Sequence, residues 1–195
     1  MKPPHFLSHE RAESILFEKG LGGVYAEALE VVLATRVDLA PQKGANMPRV
    51  IWEHVLKNLA DRGWEIAVSI FPASAPAMFQ RGNYRLDAIK RMGTGSALGL
   101  ICHFGSAEFL VRQLILISEA VRRGIADCAV LALMTRDFKA HVPGRPSCYE
   151  QARRLLRVYG QSGFHAIPMI LWGLTPDSMQ SELADVRAGL RAGLQ

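Results

Sequence analysis

A carboxylate and an imidazole stand in the sequence where two consecutive strands could bring them together. Asp87 lies within the stretch YRLDAIK and His103 ends the stretch GLICH, and both stretches alternate as β-strands do. If these strands pair as a hairpin, Asp87 can lie across from Ile101 and His103, because residues two apart share one face of a strand. Asp is disfavoured within strands. It therefore either pairs with Arg85 or Lys90 or binds a metal ion.

The chemistry that such a group could perform is cleavage of a phosphodiester. Magnesium-dependent cleavage needs two carboxylates to hold the ion and a third group near the attacking water. Asp87 is one carboxylate and His103 could be the third group, but the side chain of Ile101 cannot bind magnesium. The residues alone thus predict an incomplete metal site, or a pair in which Asp87 and His103 contact each other or backbone groups.

The first third of the chain predicts helices that precede these strands. Ser8 can cap a helix that ends at Gly20, and a second helix spans about 24–36. A third helix, over about 48–62, is amphipathic, because apolar residues recur every four positions along it. Gly63 ends this third helix.

A switch to a period of two after Gly63 predicts a sheet. In the stretch WEIAVSIF, the residues Trp64, Ile66, Val68 and Ile70 fall on one face of the first strand. Four more strands are predicted in the stretches NYRLDAIK, ALGLICHF, DCAVLALM and AIPMILW. The continuous apolar run of DCAVLALM, the fourth strand in chain order, predicts a strand that is buried on both faces.

Helices alternate with the later strands. The stretch SAEFLVRQLILISEAVRRG, capped by Ser106 and ended by Gly124, follows the third strand, and a helix over about 147–160 follows the fourth. Pro168 places the last strand at a sheet edge or bulge, and a C-terminal helix starts after Pro176. This order predicts an α/β sandwich around one mixed sheet.

Length and composition are those of one domain without a membrane span. The 195 residues are 49% hydrophobic, and no apolar run reaches the roughly 18 residues of a membrane helix. The N-terminus lacks an apolar stretch long enough for a signal peptide, so we expect a cytoplasmic protein. The formal net charge is +5, and basic residues crowd 81–91, 136–145 and 153–157. These clusters are compatible with a polyanionic partner or with solvated loops and a helix face.

Four stretches, taken in order, resemble one family. They are MPRVIWEHVLKNLADRGWE, YRLDAIK, LGLICHFGSAEFLVRQL and GIADCAVLALMTRDFKAH, and together they cover about residues 47–141. The series is similar to the BglII/BstYI/BamHI group of type II restriction endonucleases, within the PD-(D/E)xK nuclease superfamily. In that group a helix ends in Gly-Trp, a strand carries an Asp, and the next strand reads Glu-x-Gln or Glu-x-Glu before Phe-Gly. The Phe-Gly and the order of the elements carry the resemblance.

The resemblance implies a fold, a domain plan and a partner. The fold is a restriction-endonuclease-like mixed β-sheet sandwiched by helices, in a single domain over 1–195. Its parts are a helical N-terminal part (1–62), a sheet core (63–175) and a C-terminal helix (176–195). The implied assembly is a homodimer around duplex DNA, with the N-terminal helices helping to form the dimer.

The site residues implied by the resemblance depart from the family at one position. Asp87 matches the family's first metal-binding Asp, and His103 stands at a position where the family varies between Gln, Glu and Lys. Ile101 stands where the family has its catalytic Glu. This position is therefore degenerate, and the implied cofactor, Mg²⁺, would lose one of its two carboxylates.

Three substitutes for the missing carboxylate stay open. Glu108 or Glu119, on the helix after the strand, could complete a magnesium site with Asp87, and so could Glu53 on the helix before the sheet. His103 and Asp87 could instead bind a softer ion such as manganese or zinc, since imidazole suits transition metals. Without any of these, the protein keeps the fold and loses the cleavage reaction.

Two functions follow from the resemblance. The leading hypothesis is a DNA-binding pseudo-nuclease, alone or as a subunit of a defence or DNA-processing complex. The alternative is an active, Mg²⁺-dependent type II restriction endonuclease with a relocated second carboxylate. In both, contacts to phosphates would supply affinity without sequence preference. The residues predicted to make these contacts are Arg81, Arg85, Lys90, Arg91, Arg136, Lys139 and Arg145.

Overall fold

The computed structural model describes residues 5–35, 47–77, 84–139, 146–160 and 167–175. The predicted helix after Pro176 and the candidate DNA-binding residues Arg81 and Arg145 lie outside the described residues. No helix within the described ranges is long and apolar enough to cross a membrane.

One mixed sheet of six strands forms the centre of the described fold. The strands are β1 (His5–His9), β2 (Glu65–Ser69), β3 (Arg85–Arg91), β4 (Ala97–His103), β5 (Cys128–Met134) and β6 (Met169–Leu174). Their order across the sheet is β1-β6-β5-β4-β3-β2. β4, β5 and β6 run parallel to one another, whereas β1, β3 and β2 run antiparallel to their neighbours. The predicted mixed sheet is confirmed.

Helices cover both faces of this sheet. They are α1 (Ala12–Glu18), α2 (Gly22–Ala34), α3 (Met47–Asp61), α4 (Ala107–Arg122), the short α5 (Arg136–Lys139) and α6 (Tyr149–Gly160). α1, α2 and α3 pack on one face in a first core, which includes Val32, Trp52 and Leu100. α4 and α6 pack on the other face in a second core, which includes Ile101 and Leu156. All residues of β5 are buried between the two cores, as its apolar run predicts.

The first element is a strand, and the predicted helix from Ser8 is wrong at its start. β1 pairs antiparallel with β6, and Ser8 lies opposite Ile170 in this register. Helix α1 begins only at Ala12, after Glu10 and Arg11, whose φ angles of 49° and 59° turn the chain. The edge of β6 supplies backbone partners that local propensity cannot reveal. The N-terminal part is therefore not wholly helical.

The position of β6 corrects a second prediction. This strand lies between β5 and β1, so it is not at an edge of the sheet. Pro168 stands just before Met169, the first residue of β6, and its carbonyl accepts a hydrogen bond of 3.2 Å from the backbone N–H of Ala129. A proline at this position removes no donor from the strand itself. It is therefore compatible with an internal strand.

The alternation of β2 breaks at Ala67, where φ is 56° and the backbone is left-handed. Trp64 packs in the first core and Ile70 in the second. Ile66 is 37% exposed. The prediction that these residues share one face with Val68 is wrong, because a period of two requires uninterrupted extended backbone.

Candidate functional site

The backbone of β3 is irregular at Asp87. β2 pairs with β3 on both sides of this residue, at Leu86 and at Ala88, and the left-handed Ala67 stands opposite it. The ladder between β3 and β4 begins only at Ala88. Leu86 and Ile89 both pack in the second core, although strict alternation would separate them. The chain therefore departs from a regular strand at the predicted site residue.

The carboxylate of Asp87 is held by two hydrogen bonds. Its Oδ2 accepts one of 2.7 Å from the backbone N–H of Cys102 on β4 and one of 2.9 Å from the indole N–H of Trp52 on α3. Burial raises the pKa of Asp87 to about 6, and the hydrogen bonds from Cys102 and Trp52 offset only part of this effect. The side chain is thus fixed in place but weakly acidic.

The sheet separates Ile101 from the groups that hold Asp87. Ile101 is 1% exposed and belongs to the second core, beside α4. Trp52, whose indole contacts Asp87, belongs to the first core. Leu100 belongs to the first core and Cys102 packs against it, so the predicted alternation along β4 is confirmed. Asp87 is therefore tied to the face that carries α3, whereas Ile101 points to the face that carries α4.

His103 is engaged by the loop that follows β4. It is 4% exposed, and its Nε2 lies 3.1 Å from the carbonyl oxygen of Ser106. Burial lowers the pKa of His103. Because a carbonyl can only accept, the neutral ring carries its proton on Nε2 and presents Nδ1 as an acceptor. A Cβ added to Gly105 would lie 2.9 Å from Cε1 of this ring, so the glycine of the Phe-Gly pair makes room for the histidine.

The acidic residues proposed as substitutes are exposed or hold other partners. Glu108 is exposed in the first turn of α4. Glu119 accepts hydrogen bonds from Arg122 and Arg123, which lower its pKa to about 2.

The third substitute, Glu53, pairs with Arg49 along α3 at 2.8 Å. Among the residues that the structure describes, no three His, Cys, Asp or Glu side chains lie close enough to hold a metal ion. Magnesium takes several hard oxygen ligands, and its protein sites use one or two carboxylates. The donors around Asp87 in the described chain do not fit that requirement.

Some of the residues predicted to bind phosphate already contact other groups of the protein, whereas others are exposed to solvent. Lys90 donates to the backbone carbonyl of Arg62 and pairs with Glu27 at 3.5 Å. Arg91 pairs with Glu65 at 3.1 Å and also donates to the carbonyl of Ile125. These two side chains stabilise the fold internally. Of the others within the described chain, Arg85 and Arg136 are exposed and Lys139 is half-buried.

Sequence reasoning missed Trp52 as a member of the site. Trp52 is one of the apolar residues of α3; it is 8% exposed and packs edge-on against Phe104, with the ring centroids 6.3 Å apart. An indole N–H that becomes buried needs an acceptor, and this requirement is the signal that could have linked it to Asp87.

The fold is that of a type II restriction endonuclease, which confirms the predicted fold class. Comparisons with protein-family models and with curated proteins give no match. Among solved structures, restriction endonuclease BglII in complex with a DNA 16-mer matches with a TM-score of 0.66 at 17% identity, over 90% of this chain and 78% of that chain. Free BglII matches with a TM-score of 0.58 at 17% identity, over 90% and 80%.

Proposed function

We propose that this protein binds double-stranded DNA and does not cut it by a magnesium-dependent reaction. The observation that carries the proposal is the combination of a BglII-like fold with a buried Ile101 at the position of the family's catalytic Glu. The side chain of Ile101 supplies no metal ligand and is packed in the second core. Restoring a carboxylate there would require a different core.

The state of Asp87 supports the same conclusion. Its Oδ2 already accepts two hydrogen bonds, and burial, which raises its pKa to about 6, disfavours the ionised form that a metal ion would need. A metal-binding carboxylate must be ionised and must offer lone pairs to the ion. We therefore assign Asp87 a positioning role between α3 and β4.

Binding to DNA is supported by the fold and by charge. One of the solved structures that share this fold is described as complexed with a DNA 16-mer. The formal net charge of this chain is +5, and Arg85 and Arg136 are exposed cations. Such residues attract phosphates irrespective of base sequence. Lys139, the half-buried member of the predicted set, lies three residues after Arg136, at the end of α5.

Two assays on one protein sample test this proposal, one of DNA binding and one of DNA cleavage. Titration of a labelled duplex should show binding that weakens steeply between about 50 and 200 mM salt, because counterions are released on binding. Absence of duplex binding at low salt would overturn the proposal. Supercoiled plasmid with Mg²⁺ or Mn²⁺ should stay intact, and nicking that Asp87→Asn abolishes would instead establish the active endonuclease with a relocated carboxylate.

The proposed assembly is a homodimer around the duplex. Sedimentation should show a species of twice the 21.5 kDa chain mass without DNA, and of that mass plus one duplex with DNA. A stable complex with a different protein, together with weak binding to DNA, would favour a subunit of a defence or DNA-processing complex.

A further inference from the structure

Within the described part of the chain, the side chains that line a cleft between α5 and α6 are all charged. Its volume is about 410 Å³. We call it the arginine cleft, and its lining residues are Arg136, Asp137, Glu150, Arg153, Arg154 and Arg157. Four positive and two negative charges give the lining a net charge of +2. We propose that the arginine cleft binds phosphate groups, and that their source is the phosphodiester backbone of nucleic acid. The choice of source rests on the proposed function.

The sequence of α6 creates one wall of the cleft. Arg153 and Arg157 are four residues apart and Arg154 and Arg157 are three apart, so the three guanidinium groups project from neighbouring positions on one side of the helix. All three residues are exposed. Ala152 and Leu156 on the opposite side are buried in the second core. Packing of the apolar face thus fixes the direction in which the arginines point.

The opposite wall is joined to this helix by a hydrogen bond. The backbone N–H of Arg136, at the start of α5, donates to Oε2 of Glu150 at 3.1 Å. Glu150 thereby links the segment after β5 to the first turn of α6. The acidic residue therefore organises the cleft, and Arg136 faces the arginines of α6.

The positive charge of the cleft is offset only in part, by Glu150, whose carboxylate interacts with the charge of Arg136. Within the described ranges, none of its four arginines forms a salt bridge, although six other arginines do. Those six are Arg11, Arg49, Arg62, Arg91, Arg122 and Arg123. Guanidinium groups placed close together repel one another, and an anion that accepts hydrogen bonds from them removes this repulsion. The fork geometry of arginine suits phosphate oxygens.

The lining also indicates which part of a nucleic acid would bind. Recognition of an unstacked base relies on aromatic side chains, and no lining residue among those described is aromatic or apolar. A phosphodiester carries the negative charge and the acceptor oxygens that this set of donors can use. We therefore assign the cleft to the backbone of a duplex.

The cleft lies at the same end of the sheet as His103. β4, β5 and β6 are parallel, and His103, the last residue of β4, is paired with Leu133 of β5, three residues before Arg136. The backbone N–H of Ser147, just before α6, donates to the carbonyl of Gly105 at 2.7 Å. Ligands of open α/β sheets bind outside the carboxyl ends of parallel strands. One DNA backbone could therefore follow this end of the sheet.

The experiment compares two double variants that remove the same charge. Arg153→Gln with Arg157→Gln changes the cleft, whereas Arg11→Gln with Arg122→Gln removes two exposed, ion-paired arginines elsewhere. Duplex affinity is measured by fluorescence anisotropy from 50 to 300 mM salt. The cleft variant should bind about tenfold or more weakly at 100 mM salt, with the salt slope reduced by about 2, since each phosphate contact contributes about 0.9. The control should keep the wild-type slope, and equal effects of the two variants would overturn the proposal.

A second titration keeps the cleft testable if wild-type protein does not bind the duplex. Calorimetry at low salt uses inorganic pyrophosphate as the probe. Saturable binding that is lost in the cleft variant and kept in the control would support a phosphate site but reject nucleic acid as the source. If the protein binds neither the duplex nor pyrophosphate saturably, both the phosphate-binding role of the cleft and the proposed function are overturned. Circular dichroism of both variants checks that they are folded.

Discussion

The indole N–H of Trp52 donates a hydrogen bond of 2.9 Å to Oδ2 of Asp87 and so ties helix α3 to an irregular point of strand β3. The same oxygen accepts the backbone N–H of Cys102, which β3 leaves without a regular ladder partner at this point. A carboxylate here substitutes for a backbone acceptor. This explains why an acidic residue is compatible with a strand that is otherwise apolar on its buried positions.

Asp87→Asn should stabilise the protein at neutral pH. The pKa of Asp87 is raised to about 6 in the folded protein from 3.8, so ionisation opposes folding, and wild-type stability should fall as pH rises from about 4 through 6. A shift of this size corresponds to about 2–3 kcal/mol above pH 6. The amide oxygen of Asn can accept the same two hydrogen bonds without a charge. Urea unfolding at pH 4 and pH 7.5 measures the effect.

The matched control for this variant is Asp61→Asn, since Asp61 is exposed at the end of α3. It should change stability little at either pH. Equal stability of wild type and Asp87→Asn at pH 7.5 would contradict a desolvated carboxylate at this position.

Trp52→Phe should destabilise the protein more at pH 7.5 than at pH 4. Phe keeps a ring near Phe104 but removes the donor to Asp87, and a lost hydrogen bond to a charged group costs about 1.5–3 kcal/mol. When the carboxyl is protonated, the loss is smaller. Trp172→Phe is the control, because its indole donates to the neutral hydroxyl of Tyr25 at 2.9 Å. Urea unfolding of both variants at pH 4 and pH 7.5 measures the effect. An equally large pH dependence in Trp172→Phe would contradict a hydrogen bond from Trp52 to an ionised Asp87.

Gly105→Ala should lower the free energy of unfolding by about 1–3 kcal/mol, because the added methyl group would overpack the buried ring of His103 and force it to shift. The added Cβ would lie 2.9 Å from Cε1 of the buried His103 ring. Removing the ring with His103→Ala should relieve the strain, so the double variant should be more stable than the sum of the two single effects predicts. Gly93→Ala serves as the control, since no atom lies within 4 Å of its added Cβ. Additive effects of Gly105→Ala and His103→Ala would show that the contact is unimportant.

Elements held by interactions between residues close in sequence were predictable, whereas those held by distant residues were not. The buried strand β5 and the ends of α3 and α4 were predicted because an apolar run and the left-handed Gly63 and Gly124 encode them locally. β1 was missed because its stability comes from pairing with β6, more than 150 residues further along the chain.

In the candidate site, too, features encoded locally were predicted and contacts between distant residues were missed. Asp87 could be singled out, because a carboxylate in a strand is unusual in itself. Its partner Trp52 was missed, since the residue fits an apolar helix face equally well and lies 35 residues away, and only the need of a buried indole N–H for an acceptor pointed to it. Nor could local pattern show that Ala67 breaks the alternation beside it.

Ile101→Glu should destabilise the protein without creating a nuclease. Ile101 is 1% exposed in the second core, where an unpaired carboxylate must be desolvated, whereas Asp87 is tied to Trp52 on the other side of the sheet. We expect a loss of about 3–5 kcal/mol in urea unfolding and no nicking of plasmid with Mg²⁺ or Mn²⁺. Ile101→Met, which keeps an apolar side chain of similar volume, should cost less than about 1.5 kcal/mol. If Mg²⁺ stabilises Ile101→Glu or the variant nicks DNA, the two side chains do share one site, and the protein has lost a ligand while keeping the geometry of a nuclease.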